Sequence, residues 1–364
     1  MERNKNVDIF RAFSLLLVLV YHGWVLMGAQ PFKYVLVTLL VSLGGEIGVT
    51  SFFALSGYGI YYSLRRMEAS RGKIDYIEYA KKRLKRILPE YVLSIVVVVL
   101  FSFSAYLSLE GIGNIVTHLL FIHNLFPKYH GSINGVLWTM GVIVQFYIIA
   151  PVLYKGIRKY GLKMELLCVI ATILMKYFIY AFVLPHIGRT DLAFFSGRQL
   201  LTALDNFSVG MFIAYLIQEK KIHLGSEAAK FGGLLAIIEV ICVCQLGMTY
   251  GIHTNNMSGY LWHSLLAMGL GTIILCISYI RCREQNIICK VLLWLSKYEY
   301  GIYVWHMLIL SKMLGSIPQI QEVLNSKFAW VVHVIYLLLA IIWGSGISMA
   351  EEKIKKRLSY KKPS

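Results

Sequence analysis

The chain has 364 residues, of which 57% are hydrophobic and 15% charged, against roughly 25% charged in a soluble domain. Apolar runs of about 20 residues recur along its length, which excludes a soluble globular fold; alternating segments of about ten residues are missing, which excludes a membrane barrel. The formal net charge of +17 suggests nucleic acid at first, but the placement of the cations argues otherwise.

Periodicity and run length predict an all-α polytopic membrane protein in one domain, residues 1–364. About ten transmembrane helices are expected near residues 10–29, 35–63, 90–109, 134–154, 164–184, 200–218, 231–249, 259–280, 291–311 and 329–350. With the N-terminus inside, 27 of the 36 Lys and Arg fall in cytoplasmic segments. Six fall outside (Lys33, Lys128, Arg189, Arg198, Lys312, Lys327) and three lie within spans (Arg11, Lys176, Lys297). This asymmetry predicts a multi-pass protein with both termini cytoplasmic. Topology and anionic lipid account for the charge, and no nucleic-acid partner is expected.

The first span, "DIFRAFSLLLVLVYH", lacks a small-residue cleavage site and reads as a retained helix. It carries Arg11 and His22. Ionisable residues within spans cost at least ~2.5–3.5 kcal/mol each on insertion scales, so each calls for a functional reading. Eleven residues at about 100° each is about 20° beyond three full turns, so the two side chains share a face, roughly 16 Å apart along the axis. Arg11 taken alone also fits a snorkelling cation, and His22 alone a neutral histidine with one hydrogen bond.

The second span is too long to be straight, and "SLGGEIG" marks an expected break in it. It carries Glu46, a candidate partner for a histidine, and Ser56 beside Gly57, a pair small enough for close helix packing. The basic connection "DYIEYAKKRLKRIL" reads as an amphipathic surface helix, with Pro89 starting the third span. Arg83 and Arg86 there are suited either to topology or to clamping phosphates. The long connection after that span contains an apolar piece, 115–126, too short to cross and expected to be re-entrant or interfacial. Trp138, Gln145 and Tyr147 form a polar stripe in the fourth span. Asp205 opens the sixth span, where a helix cap is its simplest role. Tyr303 and His306 form a second stripe in the ninth, where an aromatic interface belt is the plainer reading.

Six cysteines make no framework. Cys168, Cys242, Cys244 and Cys276 fall in spans, Cys282 and Cys289 flank a cytoplasmic turn, and no C-x-x-C occurs. Neither disulfides nor a metal site is expected. An arginine cluster at the cytoplasmic level with a histidine deeper suits acyl transfer from a phosphate-bearing donor such as coenzyme A, the histidine taking a hydroxyl proton or the acyl group itself. The alternative is a transporter or flippase for an anionic or lipid-linked sugar, which buried charges and a broken helix also fit.

The ordered motifs resemble the acyltransferase-3 family of membrane acyltransferases. Asp8, Arg11 and His22 are similar to its opening signature. Phe52, Phe53, Ser56 and Gly57 resemble its Phe-Phe-x-x-Ser-Gly segment, and Arg83, Arg86 and Pro89 its Arg-x-x-Arg element. "FIHNL", "LWTMGVIVQFYIIAP", "FSVGM" and "LSKYEYGIYVWH" follow in the family's order. The resemblance implies ten helices in the bacterial plasma membrane. It implies an acyl-coenzyme A donor, commonly acetyl-coenzyme A, with no permanently bound cofactor. It implies O-acylation of a surface or lipid-linked glycan. His22 would be the essential histidine, Arg11 its partner, and Arg83 with Arg86 the second basic motif. The candidate site is therefore His22, Glu46 and His306 for catalysis, Arg11, Arg83 and Arg86 for the donor, and Ser56, Trp138, Gln145 and Tyr303 for substrate. The family often has acids where Thr50 and Ile143 stand, so Glu46, one turn from Thr50, is the expected substitute partner of His22. No esterase-like or racemase-like segment occurs in the 364 residues, so the chain is expected to act alone or with separate proteins. Self-association is left open.

Overall fold

The computed structural model describes residues 4–187, 192–280, 286–316, 318–324, 326 and 328–360. Arg189, Cys282 and Lys327 lie outside the described residues. Among the described residues there are helices and connections and no strand. In chain order the helices are α1 (Lys5–Leu26), α2 (Val35–Ser42), α3 (Gly44–Arg71), α4 (Tyr76–Phe101), α5 (Leu109–Leu119), α6 (Trp138–Tyr160), α7 (Leu162–Phe178) and α8 (Leu184–Ile187). They continue as α9 (Leu192–Gly197), α10 (Leu204–Gln218), α11 (Ser226–Tyr250), α12 (Met257–Ile277), α13 (Ile287–Lys297), α14 (Glu299–Ser316), α15 (Pro318–Leu324) and α16 (Ala329–Tyr360).

Seven helical stretches among the described residues are long and apolar enough to cross a membrane: α1, α6, Leu162–His186, Leu201–Gln218, α11, α12 and α16. The pair α2 and α3, bent by 53° at Leu43, makes an eighth. The bend falls in "SLGGEIG", where a break was expected. The third and ninth expected spans correspond to α4 and α14, which polar residues dilute. The first 11 of the 26 residues of α4, Tyr76 to Arg86, are the basic run, and α14 opens on Glu299 and carries His306. Lipid-facing flanks show as exposed apolar side chains, among them Ile148 (74%), Val152 (68%) and Ile342 (65%). In water such a surface would be an aggregation site; in hydrocarbon it costs nothing.

The start of α1 is capped by Asn4, whose side chain accepts from the Asn6 and Val7 amides. Asn4 and Asn6 also donate to the Ser278 and Ile277 carbonyls at the end of α12, at 3.1 and 2.9 Å. Asp75 caps α4 through the Glu78 amide at 2.9 Å. That bond holds the Asp75 carboxyl below its usual range.

Pro89 does not begin a new helix. It lies inside α4, which runs unbroken from the basic surface stretch into the bundle. The carbonyl that a proline leaves unserved is that of Lys85, an exposed residue that water can satisfy.

Helix α10 is the centre of the bundle, buried along nearly its whole length and packed on α3, α6, α7 and α12. Phe207 stacks on Phe146 of α6 at a 4.1 Å centroid separation, and Phe53 of α3 meets Phe146 edge-on at 5.8 Å. With no hydrophobic drive between helices in lipid, such close packing is what holds the bundle together. Ion pairs tie the helix ends on the basic face. Arg65 meets Glu219 at 2.6 Å, and Arg158 bridges Glu68 and Glu219. On the other face, the segment expected to be re-entrant forms the short amphipathic α5 and a tight turn at His123–Leu125. Leu109 and Leu120 point outward, while His118, His123 and Asn124 are buried.

Candidate active site

Five helices, α1, α3, α4, α6 and α14, line a cleft on the basic face, whose empty space is about 790 Å³ with the open solvent at its mouth included. Arg11 enters from α1, Ser56 from α3, Arg83 and Arg86 from α4, and Glu299 and Tyr303 from α14. Phe52, Phe53, Tyr147 and Tyr300 supply aromatic walls. Glu299 bridges two of the arginines, at 3.4 Å from Arg11 Nε and 3.3 Å from Arg86 Nη2. Arg83 instead lies over the Tyr79 and Tyr147 rings, at 5.5 and 6.0 Å. Three guanidiniums face one carboxylate, so the cleft is a net cation on apolar walls, the composition that a phosphate-bearing ligand with an apolar arm requires.

Tyr303 joins the cleft to a histidine pair. Its ring meets Phe52 edge-on at 5.6 Å, and its hydroxyl lies 3.1 Å from Thr139 Oγ1. Its backbone carbonyl lies 2.6 Å from His306 Nδ1. A carbonyl only accepts, so Nδ1 of His306 carries the proton and Nε2 is an acceptor. That Nε2 is 3.3 Å from His22 Nδ1, which also lies 2.9 Å from the Val18 carbonyl. His22 Nδ1 is therefore protonated as well, its N–H shared between Val18 and His306. The lone pair of His22 is then on Nε2. His306 is fully buried, whereas His22 is half-buried. The arrangement is that of a base whose tautomer is set by a second group behind it.

The structure thus brings together Arg11, Ser56, Arg83, Arg86 and Tyr303 in the cleft, and links the pair His306 and His22 to it through Tyr303, neither histidine lining the cleft itself. It separates the other candidates. Gln145 donates to the Phe121 carbonyl at 3.2 Å and to Asn124 Oδ1 at 2.8 Å, so its amide fastens the loop after α5 rather than facing the cleft. Trp138 lies under Arg198, at 5.2 Å from the guanidinium to the ring centroid. Tyr147 does line the cleft, because it stands about 200° around the helix from Gln145.

Glu46 does not orient His22. Its carboxylate oxygens face Nε2 of His253 at 3.6 Å and Nε2 of His263 at 3.3 Å. Glu46 is the third residue of α3, and after the bend at Leu43 this first turn lies against α12. Asp205 is likewise not a cap. It is buried inside the first turn of α10 and accepts from Ser264 Oγ and, at 2.7 Å, from the Asn206 amide.

Four functional candidates were not singled out from the sequence. Glu299 is an acid at the mouth of an apolar helix, a signal of the same kind as Glu46. Arg198 donates to His130 Nε2 at 2.9 Å and lies over the Trp138 ring. His253, in the loop before α12, and His263, in α12, lie 207 and 217 positions from Glu46, beyond any local motif.

An acyltransferase-domain family profile matches residues 4–349. A protein of Acidianus two-tailed virus named "Putative acetyltransferase ORF330" is 26% identical over 324 residues, 86% of each chain. "Putative peptidoglycan O-acetyltransferase YrhL" of Bacillus subtilis is 25% identical over 342 residues, which is 89% of this chain and 50% of that one. The O-acetyltransferase OatA of Staphylococcus aureus is 27% identical over 157 residues, 40% of this chain and 24% of that one. The chain thus spans about half of YrhL and a quarter of OatA. No solved structure matches it. An enzyme, not a transporter, is what the family match carries. Arginine cleft, hydrogen-bonded histidine pair and a match over nearly the whole length agree: the chain belongs to the acyltransferase-3 family of membrane acyltransferases.

Proposed function

We propose that this protein moves an acetyl group from acetyl-coenzyme A to a hydroxyl of a cell-surface or lipid-linked carbohydrate. The observation that carries the reading is the continuity from the arginine cleft through Tyr303 to the histidine pair. The excess of cations on the cleft's side supports a cytoplasmic donor entrance, with both termini cytoplasmic in the plasma membrane. The names of YrhL and OatA favour acetyl as the group and a cell-wall glycan as the acceptor.

Coenzyme A phosphates rest against Arg11, Arg83 and Arg86, and the pantetheine arm follows the aromatic wall toward His22. The axial rise from Arg11 to His22 sets the depth it must cover, roughly 16 Å. His22 Nε2 takes the proton of the acceptor hydroxyl as its oxygen attacks the thioester carbon. The C–S bond then breaks, and the imidazolium returns the proton to the leaving thiolate. His306 shares the His22 Nδ1–H throughout and holds its ring in place.

In membranes containing the protein, radiolabelled acetyl-coenzyme A is expected to label a glycan, and coenzyme A to raise the melting temperature of the purified chain. Arg83→Ala is expected to raise KM for the donor about 10- to 100-fold, the worth of one charge-assisted hydrogen bond of roughly 1.5–3 kcal/mol. Absence of both label and melting shift at saturating coenzyme A overturns the assignment.

His306 is a positioning residue. His306→Ala is expected to lower kcat by on the order of 10- to 100-fold, a fraction of what the base itself supplies. His306→Gln returns an acceptor to His22 Nδ1–H and is expected to recover most of the loss. If glutamine rescues nothing while both variants melt like the parent, His306 does not act by orienting His22.

A further inference from the structure

We propose that Glu46, His253 and His263 form a binding site for a divalent transition-metal ion of the zinc type, remote from the arginine cleft. Each residue directs one ligand atom inward, and these atoms lie within 4.8 Å of one another. They come from three elements: the first turn of α3, the loop between α11 and α12, and the second turn of α12.

Hydrogen-bond accounting shows what is missing between them. Ser196 Oγ donates its proton to the Leu192 carbonyl at 2.8 Å, so it accepts from His253 Nδ1 at 3.0 Å. With its proton on Nδ1, His253 turns the Nε2 lone pair toward Glu46 Oε1 at 3.6 Å. Two acceptors facing each other repel unless a cation stands between them. Their spacing is close enough for a small movement to close a coordination shell. Metal–ligand bonds of about 2.0–2.1 Å in a tetrahedron place neighbouring ligand atoms about 3.3–3.4 Å apart. The observed separations are 3.3 Å from Glu46 Oε2 to His263 Nε2 and 3.6 Å from Glu46 Oε1 to His253 Nε2, one from each carboxylate oxygen. His263 Nδ1 is buried without a partner whichever species occupies its Nε2, so it does not distinguish the cases.

The donor set and its surroundings select the ion. Two imidazoles and one carboxylate suit zinc and its neighbours, whereas calcium and magnesium take oxygen shells. Ser196 accepts from His253 Nδ1 and so fixes the tautomer in which Nε2 can ligate. Trp262 packs edge-on against the His263 ring at 4.9 Å. Gly197 presents no side chain here; a Cβ at that position would stand 3.1 Å from His253 Cε1. Three protein ligands leave a fourth position for water or a ligand oxygen, and Glu46, a third exposed, keeps it reachable.

The competing occupant is a proton, which would make His253 an imidazolium against Glu46, and the test separates the two. Full-length protein without a polyhistidine tag, loaded with zinc in detergent and desalted, is expected to retain one zinc per chain by elemental analysis. Cobalt(II) in its place is expected to give the intense visible bands of a tetrahedral site. His253→Gln changes a loop residue and leaves α12 intact; with Glu46→Gln, it is expected to weaken zinc binding at least about tenfold and abolish the bands. Zinc retained equally by both variants, or a wild-type chain that holds none, overturns the proposal. Metal content is read independently of acyl transfer, so the two readings stand or fall separately.

Discussion

His22→Ala is expected to lower acetyl transfer by about 10²- to 10⁴-fold while leaving coenzyme A binding intact. The size follows from the ring's position. His22 is the one member of the histidine pair that is not fully enclosed, and its Nε2 lone pair is free of the bonds that occupy Nδ1. Alanine removes that lone pair and leaves the His306 acceptor facing an apolar methyl. Arg11, Arg83 and Arg86 sit about three turns away at the cleft mouth, so the melting shift given by coenzyme A should persist. The measurement is initial rate of label transfer from acetyl-coenzyme A together with that melting shift. A variant within tenfold of wild type would remove His22 from the chemistry, whatever the fate of the donor site. Loss of the melting shift as well would mean that the substitution disturbs α1 itself, and His22→Gln, closer in size and polarity, then carries the comparison.

Arg11 and His22 were legible because a single helix supplies both, and helical arithmetic needs no partner. The break near "SLGGEIG" was legible for a similar reason: a run too long for one crossing, with glycines in its middle. What the sequence could not show is which way the second half turns after that break. Glu46 is one turn from Thr50, and so looked available to His22. The 53° bend aims it at His253 and His263 instead. Gln145 stands apart from the cleft for a different reason. Polarity within a span marks a residue as needing partners, and a loop carbonyl satisfies that need as well as a substrate does. Expecting no metal site from six scattered cysteines never addressed histidines, whose grouping here depends on contacts between helices far apart in sequence. Ser56 and Gly57 carried two competing readings, and the structure divides them: Ser56 lines the cleft and Gly57 makes the packing contact.

That contact bears the second large effect. Gly210→Ala, one added methyl, is expected to lower stability by more than about 3 kcal/mol, the upper end of what overpacking costs. At the crossing of α3 and α10, a Cβ on Gly210 would overlap the Ala54 carbonyl oxygen and stand 2.6 Å from its carbon and 2.9 Å from the Tyr58 amide nitrogen. Opposite it, a Cβ on Gly57 would overlap the Phe207 carbonyl oxygen and stand 3.2 Å from the Met211 amide nitrogen. Side chains can rotate out of the way, but these obstacles are backbone, so the helices themselves must separate. Separation is costly where close approach of small residues supplies the association. It also reaches the site, because α3 carries Phe52, Phe53 and Ser56 on the cleft wall, and Phe53 packs on Phe146 beside Phe207. Gly346 in α16 has nothing within 4 Å of its would-be Cβ, so Gly346→Ala is expected to be neutral or to stabilise by about 0.5–1 kcal/mol. Thermal unfolding in detergent compares the two on one scale. Equal melting temperatures for Gly210→Ala and Gly346→Ala would show that α3 and α10 do not cross this closely.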